Sequence, residues 1–360
     1  MDKNIMKKKF KILIDPFSNL HYSAFYILGL LELYPNNIEY IHEPFKNLKS
    51  GRRTCFLFIL REEDSDTNVA IDFHDPNKIE LDILLWSSIY AKINYNHKDT
   101  IEDIKKKIKD QSNFNFNVLK IVSIPPPSFG VKIFDFLKTS SFVSKIIFMN
   151  NISLANKKNI ILGVVRMYVK RLPISYYKHS KAKRNYIFHI SSIWAKDTDF
   201  INFSRRNFIR ASKSIEDVDF EGGLVEIGYK YEYLGNIKDI IYSGGKIPLK
   251  EYIDKTRKSF LVFNGPSVEK CHGWKLAEYL SMGKAIISTP LYNDLPTPLV
   301  HGENIHFVED NYDSIKMGIE YLINNPDYVR KLEVNALKYW NDNVEPKVVV
   351  KNILNRISEI

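Results

Sequence analysis

Residues 260–289 read FLVFNGPSVEKCHGWKLAEYLSMGKAIIST, and this stretch decides the fold class. Phe260–Asn264 is a short apolar run, as expected of a buried strand, and the residues 265–267 that follow predict a sharp turn. Gly273 is predicted to begin a helix, and Ala285–Ser288 is a second apolar strand. A strand, a turn, a helix and a strand in this order indicate one unit of a parallel sheet covered by helices.

The start of the predicted helix combines groups that suit a nucleotide. Gly273 permits close backbone approach, and free N–H groups at a helix start attract phosphate. Lys275 lies in the first turn, and Glu278 is three residues further on, so their side chains share one face. A cation could hold a diphosphate there while the carboxylate holds the ribose hydroxyls. The same spacing also fits an ordinary exposed Lys–Glu pair, so the spacing alone leaves both interpretations open.

Strand and helix patterns alternate along most of the chain, and the alternation is interrupted once. The interruption lies at about 171–185, where one proline and a run of basic residues predict an inter-domain linker. We therefore expect an α/β protein with two Rossmann-like domains facing each other across a cleft. The expected bounds are 1–175 for the first domain, 185–345 for the second and 346–360 for a final helix that crosses back onto the first domain.

The segment CHGWKLAEYLSMGKAIIS resembles the donor-binding half of GT-B glycosyltransferases, which show a Pro-Ser turn, a Gly-aromatic step, a helical Glu and a Gly-Lys before an apolar strand. The sequence of this segment is most similar to bacterial group 1 and exostosin-like glycosyltransferases of capsule and surface-polysaccharide synthesis. The resemblance extends over roughly 186–345 and is looser in the first half. It implies that a sugar passes from a nucleotide diphosphate donor to a carbohydrate, with a lipid-linked glycan among the candidate acceptors.

One departure from the family pattern concerns a pair of Glu residues that many retaining members carry eight positions apart. Counting back eight positions from Glu278 gives Lys270, and Glu269 is one residue out of register. The sequence therefore leaves open whether the reaction retains or inverts the sugar's stereochemistry.

The expected donor site draws on three parts of the second domain. The resemblance implies that the loop after strand 189–194 faces the donor phosphates, and Arg205 on the next helix could bind a diphosphate through its planar guanidinium. Lys196 is a further candidate in that loop, and Gly222-Gly223 indicates either close ligand approach or a plain turn. The donor-binding residues expected in all are Ser192, Arg205, Asn264, Gly265, His272, Gly273, Trp274, Lys275 and Glu278.

The catalytic base of an inverting transfer is expected in the first domain. Asp75 follows a predicted strand, and His21 lies between the first strand and the first helix, where a carboxylate or an imidazole could deprotonate an acceptor hydroxyl. Asp72 and Asp75 form a D-x-x-D pattern, but no further ligand residues lie nearby in the sequence, so we expect neither a metal site nor any other cofactor.

Composition sets the remaining expectations. The chain has 360 residues and a formal net charge of +10, which fits anionic partners, although its richness in Lys, Asn and Ile also suggests codon bias. Two widely separated cysteines indicate free thiols in a reducing compartment. No signal peptide or membrane-spanning run is evident, so the protein is expected in the cytoplasm. Ile160–Leu172 mixes apolar and basic residues, which suggests weak contact with an anionic membrane.

Two other functions stay open at this point. A nucleotide-sugar epimerase of the same fold would need no acceptor. A nucleic-acid-binding protein is suggested by charge alone, and the chain lacks the zinc, helix-turn-helix and aromatic-strand motifs of such proteins, so we expect no nucleic-acid partner.

Overall fold

The computed structural model describes residues 10–48, 54–108, 120–127, 130–195, 199–229 and 232–359. Helices and strands alternate along these residues, which confirms the expected α/β class. The chain divides into two compact units. The first unit comprises Met1–Pro173, Asp294–Pro296 and Glu345–Ile360, and the second comprises Ile174–Asn293 and Thr297–Val344.

A six-stranded sheet forms the centre of the first unit, in the order β2-β1-β3-β4-β5-β6. Its strands are β1 (Lys11–Ile14), β2 (Ile38–Tyr40), β3 (Cys55–Arg61), β4 (Asp66–Asp72), β5 (Ile89–Lys92) and β6 (Ile121–Ser123). Five strands run in one direction, and β3 runs antiparallel to both of its neighbours. The sheet of this unit is therefore mixed, because one antiparallel strand lies between parallel ones. The physical reason is the length of the β3–β4 connection: the amide of Glu62 donates to the carbonyl of Ser65 over 2.8 Å, and a parallel crossover needs a dozen residues or more.

Among its described residues the first unit has the α-helices α1 (Leu20–Leu33), α2 (Leu81–Trp86), α3 (His97–Ile108), α4 (Phe136–Phe148), α5 (Leu154–Lys170) and α11 (Pro346–Asn355). The last of these packs against α1, although more than 300 residues separate them. Gly29 makes the contact possible, because a Cβ atom at this position would lie 2.3 Å from the carbonyl oxygen of Pro346.

In the described part of the second unit all the strands are parallel: β7 (Tyr186–Ser192), β8 (Asp219–Val225), β9 (Leu261–Asn264), β10 (Ala285–Ser288) and β11 (His306–Phe307). They form a β7-β8 pair and a β11-β10-β9 sheet. The two adjoin, because the amide of Phe260 donates to the carbonyl of Tyr186 over 2.6 Å and Ser259 Oγ accepts from the amide of Phe188 over 2.9 Å. β8 and β9 therefore lie on opposite sides of β7.

Helices cover this sheet and bury its core. They are α6 (Asp199–Lys213), α7 (Leu249–Lys258), α8 (Trp274–Ser281), α9 (Tyr312–Asn324) and α10 (Pro326–Tyr339). Phe208 of α6 stacks on Phe263 of β9 with ring centroids 4.4 Å apart, and Ile287 of β10 and Ile319 of α9 are fully buried in the same cluster. Cys55 and Cys271 are buried free thiols, as expected. Among the described helices, none has both the length and the apolar character of a membrane span.

Two segments differ from their sequence-based interpretation. Gly222-Gly223 is part of β8 and not a turn, and both residues have positive φ angles. A Cβ atom on Gly222 would lie 1.9 Å from the carbonyl oxygen of His189, so glycine is required for packing against β7. The expected linker is partly anchored on the second unit: Tyr176 donates a hydrogen bond to Asp254 over 2.9 Å, and the amide of Lys183 donates to the carbonyl of Lys258 over 2.8 Å.

Candidate functional site

A cavity of about 1000 Å³ opens at the carboxyl ends of β7 and β8 in the second unit. Residues from the end of β7, from α6 and from α8 contribute polar and cationic groups to it, and the segment before α7 contributes the opposite wall. The lining residues are Ile190, Ser191, Ser192, Trp194, Arg205, Val225, Glu226, Ile241, Tyr242, Ser243, Gly245, Lys246, Ile247, Leu249, Tyr252 and Lys275.

The position of this cavity follows from the strand order. The chain passes from β7 to β8 on one side and reaches β9 on the other side, so the sheet has a topological switch at β7. Connections that leave neighbouring strands in opposite directions open a crevice at the carboxyl ends of those strands, and open α/β sheets bind their ligands there.

Two cations from different helices meet in this cavity. Lys275, at the second position of α8, donates from Nζ to the carbonyl oxygen of Ile190 over 2.6 Å. Arg205, in the middle of α6, donates from Nη1 to the carbonyl oxygen of Ser192 over 2.7 Å. Both carbonyls belong to the end of β7, so this strand brings the two side chains together. Their described hydrogen-bond partners are neutral, and both side chains remain partly accessible at the cavity.

The electrostatics of the pair follow from burial and from its like charges. Burial, and secondarily the neighbouring Arg205, lower the pKa of Lys275 to about 8, and Glu278 opposes this shift. Burial lowers the pKa of Arg205 to about 10. The buried His189 of β7 has its pKa lowered well below the ordinary value by burial and then by these two cations. A local positive potential of this kind favours an anionic ligand.

The loop after β7 is held in place by a side chain of α6. The side-chain amide of Asn202 is fully buried, accepts from the amide of Trp194 over 3.0 Å and donates to the carbonyl of the same residue over 3.0 Å. This clamp fixes the cavity wall at Trp194. Lys196 lies outside the described residues, so its part in the loop stays a prediction.

The connection from β9 to α8 has an unusual backbone. Glu269 and Lys270 adopt consecutive positive φ angles of 53° and 58°, which cost side-chain-bearing residues about 1 kcal/mol or more each. The buried Asn293 supports the strained turn by donating to the carbonyl of Lys270 over 2.9 Å. Gly273 then caps α8, as the sequence predicts.

The structure gathers only part of the expected donor set around the cavity. Ser192, Arg205 and Lys275 line it. Six others do not appear in its wall: Asn264, Gly265, His272, Gly273, Trp274 and Glu278. Asn264 is buried and donates to Ser288 Oγ over 2.9 Å, which ties β9 to β10. A Cβ atom on Gly265 would lie 2.7 Å from the ring of Phe263, and the side chain of His272 is buried.

Glu278 is 5% exposed on the inner side of α8. Its charge raises the pKa values of Lys275, Tyr252 and Tyr279, so the carboxylate lies among these side chains behind the cavity wall. Its expected contact with ribose stays a prediction.

The cavity wall that the sequence analysis missed is the segment 241–249, which links β8 to α7. Ile241 forms a parallel bridge to Leu224 near the carboxyl end of β8, so the residues that follow Ile241 lie beyond that end. Gly245 has a φ angle of 73°, a conformation that favours glycine. The available signal was the Gly244-Gly245-Lys246 run shortly before Pro248, which caps the next helix.

In the first unit, the two residues of the D-x-x-D pattern differ: Asp72 has a structural role, and Asp75 stays a candidate base. Asp72 is fully buried, and its Oδ2 accepts from Lys92 Nζ over 2.9 Å and from the hydroxyl of Tyr90 over 2.6 Å. Its Oδ1 accepts from the amide of His74 over 2.7 Å, so this carboxylate is saturated by internal partners. Asp75 is half-buried, and its charge contributes to raising the pKa of Tyr22.

His21, the other candidate base, lies in the first turn of α1 and contacts the guanidinium of Arg171 through Nδ1. Because a guanidinium only donates, Nδ1 must accept, and the proton of the neutral ring lies on Nε2. Burial and then the charge of Arg171 lower the pKa of His21 to about 4. An imidazole in this arrangement is a weak base at neutral pH.

Comparison with known proteins gives only distant similarity. No protein-family model and no curated protein matches the sequence. A glycosyltransferase from Rickettsia africae is similar with a TM-score of 0.42 and 14% identity, over 78% of this chain and 68% of that one. HepE from Anabaena, solved with UDP, has a TM-score of 0.41 and 11% identity over 97% of this chain and 99% of that one. The C-terminal domain of a group 1 family glycosyl transferase from Francisella tularensis has a TM-score of 0.32 and 16% identity over 47% and 95% of the two chains. Two of these three are glycosyltransferases by name.

Proposed function

We propose that this protein is a glycosyltransferase that moves a sugar from a nucleotide diphosphate donor to a carbohydrate hydroxyl. The observation that carries the proposal is the cation pair of Arg205 and Lys275 in the cavity of the second unit. Both groups are held by backbone carbonyl oxygens at the end of β7. A diphosphate placed between them would supply the negative charge that burial of these two cations calls for.

The chemistry of glycosyl transfer fits a preorganised pair of cations. When the bond from the sugar to the diphosphate breaks, negative charge develops on the leaving phosphate oxygen. Cations already fixed in the ground state stabilise this charge without rearrangement, and such preorganised groups contribute strongly to catalysis. In this proposal Arg205 and Lys275 stabilise the leaving group, and no metal ion takes part.

The remaining parts of the donor are assigned by the resemblance of residues 260–289 and by the shape of the cavity. Glu278 is proposed to hold the ribose hydroxyls after a small shift of α8 or of the tyrosines around it. Tyr242 and Tyr252 offer aromatic surface in the cavity wall, to which the nucleobase or the sugar can pack.

The proposed catalytic base for an inverting reaction is Asp75. It follows β4 and remains half-buried, whereas the Nδ1 lone pair of His21 is taken by Arg171. His21 is the weaker candidate because its pKa is lowered to about 4, so its neutral imidazole takes up a proton poorly at neutral pH. The acceptor is proposed to be a glycan of surface-polysaccharide synthesis, lipid-linked in one version of the proposal, which places the enzyme on the cytoplasmic side of a membrane.

A thermal-shift screen tests the donor class. The protein is melted with UDP-, GDP-, CMP- and dTDP-sugars, and one class is expected to raise the melting temperature, because a ligand present at about 100 times its Kd stabilises by about 2.7 kcal/mol. The variant Arg205→Met should lose this shift. Arg206→Met is the matched control, because Arg206 lies on the same helix but donates to the carbonyl of Leu234 over 3.1 Å.

The outcome that contradicts the proposal is a screen in which no nucleotide sugar shifts the wild type. If Arg206→Met also lost the shift, the loss in Arg205→Met would no longer assign the nucleotide sugar to the cavity. Turnover of UDP-N-acetylglucosamine without an acceptor would identify an epimerase instead.

A further inference from the structure

The most exposed large apolar side chains of the described residues are concentrated in two neighbouring helices. Five such side chains are at least 67% exposed: Phe136, Leu137, Phe148, Leu154 and Val169. All five lie in α4 and α5 of the first unit. Single exposed apolar residues are ordinary, but a group of this kind marks an interaction surface.

Helical geometry groups the exposed residues on each helix. In α4, Phe136 and Ile147 are eleven residues apart, and so are Leu137 and Phe148, which is three turns and places each pair on one side of the helix. The residues that α4 turns inward are different ones: Thr139, Phe142 and Ile146 are buried. The helix therefore has a packed face and a second apolar surface at its two ends.

In α5, too, the exposed and the buried apolar side chains lie on different sides of the helix. Leu154, Leu162, Val165 and Val169 are exposed and fall within about 80° around the helix axis, given 100° per residue. Ile160, Val164 and Met167 are buried on the other side. Part of the apolar run expected at Ile160–Leu172 is thus used for packing, and a different stripe faces outward.

The charge on these helices has one sign. Residues 136–170 contain six basic side chains and no acidic one, in a chain that has 42 acidic residues out of 360. The basic residues are Lys138, Lys145, Lys157, Lys158, Arg166 and Lys170. Lys157 donates to the carbonyl of Ile147 over 2.6 Å and thereby ties α5 to the end of α4.

We propose that the α4–α5 surface, defined as the exposed faces of Phe136–Phe148 and Leu154–Lys170, docks on an anionic lipid bilayer. Apolar side chains would enter the boundary between headgroups and acyl chains, and the surrounding basic groups would contact the anionic headgroups. The positive charge of this surface favours an anionic bilayer over a second copy of the chain. A second copy of this chain would bring the same six cations into contact with these, and like charges oppose that pairing. This inference does not depend on the proposed sugar transfer.

Vesicle sedimentation tests the inference with the full chain. Wild type is incubated with vesicles of phosphatidylcholine alone and with vesicles that also contain phosphatidylglycerol. Binding is expected with the anionic vesicles, and it should fall as salt rises from about 0.1 M to about 1 M, where the screening length shortens from about 10 Å to about 3 Å.

The double variant Phe148→Ser, Leu154→Ser should reduce the partition coefficient about tenfold, because each side chain loses part of its apolar transfer free energy. The matched control is Met317→Ser, Val334→Ser, which removes two side chains that are 62% and 61% exposed in the second unit. The control should bind as wild type does. Melting temperatures verify that both double variants are folded, as expected for changes at exposed positions.

Three results would overturn the inference. The first is equal recovery of wild type with neutral and anionic vesicles. The second is wild-type binding by the Phe148→Ser, Leu154→Ser variant. The third is a concentration-dependent dimer in light scattering that this variant abolishes while no vesicle binding is seen, which would assign the surface to a second copy.

Discussion

In each unit of this protein a lysine contacts the end of a sheet strand, and this lysine is fully buried in the first unit but partly accessible in the second. Lys92 of the first unit is 0% exposed and lies 2.9 Å from the carboxylate of Asp72, itself 0% exposed. Lys275 of the second unit bonds only a backbone carbonyl among the described partners, has Arg205 nearby and lies at a cavity. In the first arrangement the charge of the lysine is balanced by a carboxylate of the protein itself. The second arrangement brings two cations together at a cavity, which is why we propose that it binds an anionic ligand.

The largest effect is expected when the buried ion pair of Lys92 and Asp72 is broken. Lys92→Met leaves the carboxylate of Asp72 buried without its cation, and removal of one partner from a buried pair costs about 3–5 kcal/mol. We expect the free energy of unfolding of the full chain to fall by that amount, measured by urea denaturation. The double variant Lys92→Met, Asp72→Asn should recover much of the loss because no unpaired charge remains. A loss below about 1 kcal/mol in the single variant would show that the pair is not structural.

The second prediction concerns Glu278. Glu278→Gln keeps the shape of the side chain and removes its charge, and charge-assisted hydrogen bonds are worth about 1.5–3 kcal/mol each. We expect the affinity for UDP to fall about ten- to a hundredfold in calorimetric titration, which corresponds to about 1.4–2.8 kcal/mol. Uridine should lose affinity to a similar extent if the carboxylate holds the ribose. A loss confined to UDP would assign Glu278 to Lys275 instead, and no loss for either would remove it from the site.

The smallest expected effect is a dependence on pH. The pKa of Lys275 is lowered to about 8, so its ammonium group loses the proton as pH rises through that value. A diphosphate binds the charged form, and its affinity should therefore fall about tenfold between about pH 7 and about pH 9. Lys275→Arg should flatten this dependence, because a guanidinium stays protonated over that range. The same slope in wild type and variant would contradict the assignment of the titration to Lys275.

Local features of the second unit could be predicted from the sequence because they depend on neighbouring residues. The predicted strand Phe260–Asn264 is observed as Leu261–Asn264, and Gly273 caps α8 as expected. An apolar run, a turn and a glycine are encoded within a few residues of each other. The β3–β4 hairpin was missed, although the short connection between its strands already excluded a parallel crossover.

The composition of the site could be predicted only in part, since it depends on distant contacts. Lys275 is positioned by the carbonyl of Ile190, which is 85 residues away in the chain. Gly222 is required by the backbone of His189 across the β7–β8 pair, and no local pattern distinguishes this packing role from a turn. The segment 241–249 enters the cavity wall through its bridge to Leu224, so its place depends on sheet topology.

The measurement that tests the central claim most directly is calorimetric titration of UDP and of uridine against wild type and Lys275→Met. The account predicts a folded variant whose UDP affinity is about ten- to a hundredfold lower, because one charge-assisted contact is lost. Its uridine affinity should equal that of wild type, since uridine lacks the phosphates that Lys275 is proposed to hold. An unchanged Kd for UDP in the folded variant would contradict the claim that the cation pair at the end of β7 binds the donor diphosphate.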